Sequence, residues 1–244
     1  MTYCVGMLLD EGLVMAADTR TNAGVDNVGK FKKLHTWQKS DECLFVLLTA
    51  GNLAVTQAVV SLLNEGTKFK GKAATENLFA AKTMFQAARI VGRAIREVKK
   101  IDGEALSPTS DAFASSYIFG GQIGKERPRL FQLYAAGNFI EATTDTPFFQ
   151  IGEHKYGKPI LDRVAQTTMK LGDAAKLVLL SFDSTVRSNL SVGLPIDMLT
   201  YETGTLKLEH TKRIGLDDPY FKMLSSEWSK ALRGAFANIE AFDI

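Results

Sequence analysis

The sequence predicts an α+β fold arranged as a four-layer α/β/β/α sandwich: two antiparallel sheets face to face, a helix pair on each outer surface, and an extra C-terminal helix. Three observations carry the prediction. Strand-like segments come in hairpin groups, helical segments come in pairs between them, and one more amphipathic stripe follows the last hairpin. Helices gathered on the outer faces of antiparallel sheets are the layered solution for such an order. The chain of 244 residues reads as a single domain, 1–244, with 217–244 as a C-terminal helical extension.

Taken in order, Tyr3 to Leu9 carries β-formers and small residues, Asp10-Glu11-Gly12 turns, and Leu13 to Ala17 is a continuous apolar run typical of a doubly buried strand. A polar stretch from Asp18 to Lys30 leads to Phe31-Lys32-Lys33-Leu34-His35. Leu44 to Thr49 is a second buried strand, stopped at Ala50-Gly51-Asn52. Asn52 is a cap for a helix to about Asn64, with Val55, Val59, Leu62 and Leu63 on one face. A longer helix is expected from about Thr75 to Lys100, its stripe running through Leu78, Ala81, Phe85, Ala88, Val91, Ile95 and Val98. Ser107-Pro108-Thr109-Ser110 breaks the chain.

Ala112 to Phe119 then reads as a strand ending at Gly120-Gly121, Arg129 to Tyr134 as another, and Ala136-Gly137-Asn138 as the turn into Phe139 to Ala142. Helices are expected over Tyr156 to Thr168 and from an Asp173 cap to about Thr185. A last hairpin pairs Ile196–Tyr201 with Thr205–Glu209, and Asp218-Pro219 opens the final helix. The stripe of that helix, Phe221, Leu224, Trp228, Leu232, Ala235 and Ile239, reads first as intramolecular core, with a partner surface as the alternative.

Charge and composition exclude several functions. With 29 basic against 27 acidic residues the net charge is +2, so the main electrostatic reason to expect nucleic acid or an anionic membrane is missing. Cys4 and Cys43 have no metal-like spacing and read as reduced thiols. No apolar run approaches the roughly 20 residues needed to span a bilayer, and the N-terminus lacks the pattern of a secretory signal, so a cytoplasmic protein is expected. His35, His154 and His210 are not spaced for a metal, and Gly120 to Gly124 lacks the helix start that phosphate binding needs. No cofactor and no metal are expected.

The candidate chemistry lies near the N-terminus. Removal of Met1 would leave Thr2 with a free α-amine beside its hydroxyl. A threonine hydroxyl is a poor nucleophile alone but is activated by an adjacent base. An α-amine, with a reference pKa of about 7.7–8.0, shuttles protons near neutrality better than a lysine. A nearby ammonium would keep that amine neutral, and a carboxylate such as Asp18 would hold the ammonium as an ion pair.

The segment Thr2…Gly12-Leu13-Val14-Met15-Ala16-Ala17-Asp18-Thr19-Arg20…Lys32-Lys33, followed by Thr49-Ala50-Gly51, resembles the start of a proteasome β-subunit. Asp183 to Gly193 and the extra terminal helix resemble most the bacterial ancestral β-subunit (Anbu) branch. The resemblance implies an N-terminal-nucleophile (Ntn) hydrolase fold and a threonine peptidase that needs no cofactor. It implies Thr2 as nucleophile with its own amine as base, Asp18 and Lys33 as the supporting pair, and Gly51 N–H as oxyanion donor. Lys32 is the register alternative, and Arg20 has a supporting role.

Two departures affect the surroundings. The family's V-G-S-G stretch is replaced by Ile151-Gly152-Glu153-His154, and its D-x-x-S-G-G by Ser188-Asn189-Leu190-Ser191-Val192-Gly193. Ser191 keeps the second serine while Ser188 takes the Asp position, and Asp183 reads equally as a displaced partner or as a helix-end charge. Glu153 either does the polar work of the missing serine or leaves the site slow or inactive toward ordinary peptides. The resemblance also implies subunits assembled as a homo-oligomer, a ring or open spiral enclosing the sites, with peptide or unfolded polypeptide as substrate and an unfoldase partner left open. The alternatives are a weakly active or non-catalytic assembly subunit, and a small-molecule Ntn amidase.

Overall fold

The computed structural model describes residues 2–22, 28–66, 76–106 and 113–243. Strands β1 (Tyr3–Leu9) and β2 (Gly12–Asp18) form the opening hairpin and the centre of a five-stranded antiparallel sheet. On one side β1 pairs with β10 (Phe148–Gly152); on the other β2 pairs with β11 (Ile196–Glu202), which pairs with β12 (His210–Ile214). The second sheet is a meander of β5 (Leu34–Lys39), β6 (Cys43–Gly51), β7 (Ser115–Ile123), β8 (Arg129–Tyr134) and β9 (Phe139–Glu141). A small ribbon, β3 (Arg20–Asn22) with β4 (Val28–Lys30), lies within the polar stretch from Asp18 to Lys30, for which the sequence reading names no strand.

Side-chain alternation sorts the sheets into the four layers. Leu44, Val46 and Leu48 of β6 meet Leu13 and Met15 of β2 in an apolar layer between the sheets. The other face of β6, Phe45 and Leu47, packs under helices α1 (Leu53–Glu65) and α2 (Met84–Leu106). On the far side, Val5, Val14 and Ala16 pack against α4 (Leu171–Ser188), with Leu161 of α3 (Lys158–Val164) and Phe221 of α5 (Pro219–Ala237). No described helix is long and apolar enough to cross a membrane.

Several boundaries differ from the sequence reading for identifiable reasons. The long helix starts at Met84, not near Thr75, because Thr83 and Gln86 form a start signal: Thr83 Oγ1 accepts the Gln86 N–H at 3.2 Å, and Gln86 Oε1 accepts the Lys82 N–H at 3.0 Å. Phe85, placed on the buried stripe, is exposed. The β7 strand runs through Gly120-Gly121 instead of ending there, since a Cβ at Gly121 would strike the Leu44 carbonyl of the neighbouring strand. The expected break at 107–110 lies outside the described residues.

The α4 helix begins at Leu171, and Glu11 rather than Asp173 accepts its first N–H, at 3.0 Å. The second strand of the last hairpin begins at His210 rather than Thr205, because Gly204 N–H and Leu206 N–H turn back to donate to Gln122 Oε1 and the Tyr201 hydroxyl. Asp218 caps α5 as expected, its carboxylate accepting the Phe221 N–H at 2.9 Å. Only Phe221 and Leu224 of the predicted stripe are buried, so most of the stripe is not core: Leu232 is 51% and Ile239 71% exposed.

Burial, reinforced by the Lys32 charge, pushes the His35 imidazole down to about 4 from its ordinary 6.5. Between those values the unfolded chain binds the proton more readily, so stability is intact above about pH 6.5 and falls as pH drops toward 4. The melting temperature of the native chain is expected to fall over this window by more than that of His35→Gln. Parallel curves would remove His35 as the source.

Candidate active site

Thr2 is buried, and its carbonyl accepts the Glu153 N–H at 2.6 Å where β1 meets β10. This close approach requires glycine at 152: its φ is +82°, and a Cβ there would collide with the Thr2 carbonyl. One residue further, the Tyr3 N–H donates to Asp18 Oδ1 at 3.0 Å, locking the first residues of β1 to the last of β2.

Asp18 is fully buried and organises what surrounds it. The Lys33 ammonium, also buried, donates to Asp18 Oδ1 at 2.8 Å and to the Arg20 carbonyl. The Gly193 N–H approaches the second carboxylate oxygen at 3.4 Å. Burial pushes the Asp18 carboxyl above its ordinary range, and the Lys33 ammonium with the two N–H donors pulls against that rise. Lys32 is exposed and lines a different cleft with Asp197, Lys212 and Arg213, so the register places Lys33 on the aspartate.

Gly51 closes β6 with φ +107°, where a Cβ would collide with the Ala114 carbonyl of the adjoining strand segment. Asn52 follows at once as the cap of α1, its side chain accepting the Ala54 N–H at 2.9 Å. Gly51 therefore sits where a strand edge meets a helix N-terminus, a place where backbone donors and helix dipole favour negative charge. Thr2, Lys33 and Gly51 line one cavity of about 200 Å3, together with Thr21, Thr49 and Leu53.

The supporting residues divide. Arg20 contributes its carbonyl to Lys33 and its guanidinium to the Leu190 carbonyl, at 2.8 Å. Buried Glu153 accepts the His154 and Lys155 N–H groups at 2.9 and 2.8 Å and the Asn189 carboxamide at 2.6 Å. Its burial alone would raise its pKa, but these donors outweigh burial and hold the carboxyl below its ordinary range. Asn189 Oδ1 in turn accepts the Ser191 N–H at 2.9 Å. Ser188 is exposed at the end of α4 and takes no part in these described hydrogen bonds. Asp183 instead pairs with Arg187 at 3.2 Å, and Arg187 reaches Ser225 of α5, a tie between helices.

Sequence reasoning assigns no role to Gly152, Asn189, Gly193 or Thr49, although the motifs it quotes contain them, and it passes over Thr21. The positive φ of Gly152 and the loop donor at Gly193 leave no periodicity to read, and the threonines look like ordinary strand residues. Among the described residues no group of three or more His, Cys, Asp or Glu could hold a metal ion.

No family model and no curated protein sequence matches the chain. Solved structures do. Anbu from Hyphomicrobium sp. strain MC1 is 60% identical, covering 99% of this chain and 100% of that one, with a TM-score of 0.91. Anbu (ancestral β-subunit) from Yersinia bercovieri is 45% identical with 99% of each chain covered and a TM-score of 0.90. The helical assembly of the Anbu complex from Pseudomonas aeruginosa is 42% identical, covering 99% and 98% of the two chains, with a TM-score of 0.90.

Removing one member of a buried ion pair leaves the other uncompensated, which typically costs about 3–5 kcal/mol. Asp18→Ala is expected to lose stability on that scale in urea unfolding, and the double variant Asp18→Asn/Lys33→Met to recover much of it. A loss within experimental error for Asp18→Ala would show that the pair does not hold the fold.

Proposed function

The chain belongs to the Anbu (ancestral β-subunit) branch of the proteasome β-type superfamily, and from that premise we propose that it is an N-terminal-threonine amide hydrolase acting on peptides. The observation that carries the proposal is the convergence of Thr2, Lys33 and Gly51 on one cavity, with Lys33 held on Asp18. In this reading Met1 is removed first. The Thr2 α-amine then takes the hydroxyl proton as Thr2 Oγ attacks the substrate carbonyl carbon. The carbonyl electron pair moves to oxygen, which the Gly51 N–H stabilises. Collapse of the tetrahedral intermediate expels the leaving amine, which takes the proton from the Thr2 ammonium, and an ester remains. Water, deprotonated by the same amine, hydrolyses that ester.

Lys33 acts through charge. Its ammonium, fixed by Asp18 and the Arg20 carbonyl, disfavours a second positive charge on the Thr2 amine and so keeps it a base near neutrality. Arg20, Glu153 and Ser191 act one step removed, by holding the backbone around the pair.

The same reading includes self-assembly into a homo-oligomeric spiral. Two features support it: the helical assembly of the Pseudomonas aeruginosa relative, and the apolar residues left exposed along and beyond the distal half of α5, among them Phe236 at 80% and Phe242 at 89%. A second reading, an assembly subunit with little hydrolysis, is favoured by Ser188 lying exposed where the family carries an aspartate.

Intact-mass analysis should find Met1 absent and a single adduct after treatment with a β-lactone. Thr2→Ala should abolish both the adduct and peptide cleavage. In the native chain kcat/KM should rise with pH as the amine deprotonates, with a midpoint below about 8. Peptide cleavage that survives Thr2→Ala would overturn the proposal, and a processed Thr2 that no lactone labels would favour the assembly subunit.

A further inference from the structure

The segment after α5 reads Asn238-Ile239-Glu240-Ala241-Phe242-Asp243, apolar and acidic residues interleaved with no base among them. It leaves the helix without further regular structure, and its side chains are exposed, Ile239 at 71% and Phe242 at 89%. Exposed apolar side chains set among carboxylates fit a surface that is apolar at its floor and basic at its rim.

A cleft of that character, about 490 Å3 in volume, opens between β5 and β12, the outer strands of the two sheets. Leu34 and Leu208, which pack in the apolar layer between the sheets, form its floor. Lys32, Lys212 and Arg213 stand around it against Asp197. Arg213 reaches Asp197 at 3.5 Å and Lys212 reaches Asp218 at 2.8 Å, so Lys32 keeps its charge unpaired among the described residues. The apolar groove between α3, α4 and α5 offers no such surplus, because its Asp173 is paired with Lys176 at 2.7 Å. Outer strands also carry backbone N–H and C=O groups without a partner strand, which an extended segment can use.

A tail seated in this cleft comes from another molecule. Asp218, tied to the rim through Lys212, is the cap of α5, and the nineteen residues of that helix carry the tail about 28 Å away. The six residues 238–243 span at most about 21 Å when fully extended, too short to return. Resting on the reading that the chain assembles as a homo-oligomeric spiral, we propose that residues 239–243 of one copy dock in the β5–β12 cleft of a second copy. Ile239 and Phe242 meet the leucine floor, and Glu240 and Asp243 meet Lys32 and Arg213. Tail and cleft are different surfaces, so the contact is heterologous. Each copy gives its tail to one neighbour and its cleft to another, which builds a ring or an open helix where a self-complementary contact would close as a dimer.

Sedimentation of the full chain tests this, with thermal melting to confirm that each variant is folded. Truncation after Asn238, Lys32→Glu, and Glu240→Lys/Asp243→Lys should each raise the dissociation constant of assembly about tenfold or more, and Lys32→Glu joined to Glu240→Lys should recover much of the loss. An equimolar mixture of the truncated chain, which keeps a cleft, with the Lys32→Glu chain, which keeps a tail, should form a heterodimer and nothing larger. Assembly that survives the truncation overturns the docking and leaves the spiral to another surface. Loss on truncation with native assembly of Lys32→Glu overturns the cleft as the receptor. A native chain that stays monomeric removes the assembly reading and this inference with it.

Discussion

An ammonium and a carboxylate meeting 2.8 Å apart, both almost wholly removed from water, set the terms for everything around them. Taking two charges out of water is costly, and their attraction repays it only when their remaining donors and acceptors are also satisfied. Here they are. Asp18 receives the Tyr3 and Gly193 N–H groups, and Lys33 gives a second bond to the Arg20 carbonyl. Each of these partners lies on a different segment: the start of β1, the loop before β11, and the chain just beyond β2. The pair therefore gathers three segments, and the residue it fixes by gathering them is the neighbour of Tyr3, Thr2.

The two sheets can bring those segments together because glycine stands where backbones must nearly touch. At Gly152 the positive φ and the Thr2 carbonyl leave no room for a side chain, so β10 can run against the very start of β1. At Gly51 the same device lets β6 end against Ala114 and turn directly into a capped helix. The consequence is a short path from strand to helix N-terminus, placed beside Thr2. A bulkier residue at either position would have to shift the backbone that the cavity is made of.

Much of this was legible in the sequence, and what was not has a physical pattern. Continuous apolar runs identified β2 and β6, since a strand buried on both faces needs no alternation. Asn52 and Asp218 announced their helices because a cap is a local signal. Thr83 and Gln86 carry a similar local signal at the start of α2, but the apolar spacing continues upstream through Leu78 and Ala81 and hides it. The glycine pair in β7 looks like a stop in the sequence, but its reason is the close approach of a neighbouring strand, which sequence spacing does not reveal. The exposed half of α5 kept a clean stripe, because periodicity reports an apolar face and not what covers it. The Thr2, Asp18 and Lys33 positions came from resemblance as much as from chemistry. The loop from Asn189 to Gly193 resembles the family motif only in part, and that resemblance speaks of its serines and not of the Gly193 N–H that completes the surroundings of Asp18.

The replacement of a serine by Glu153 changes the kind of work done at that position. A serine hydroxyl both donates and accepts, so it can pass a proton along a chain of groups. The Glu153 carboxyl is held below its ordinary range and at neutral pH only accepts. Its acceptors are already engaged by the His154 and Lys155 N–H groups and by Asn189. Asn189 carries the connection to Ser191, two residues before the Gly193 N–H that faces Asp18. Glu153 thus joins the turn after Thr2's strand partner to the loop that serves the ion pair. In the proposed hydrolase, Glu153 would therefore act on Thr2 through position alone, with proton transfer assigned by that proposal to the Thr2 amine.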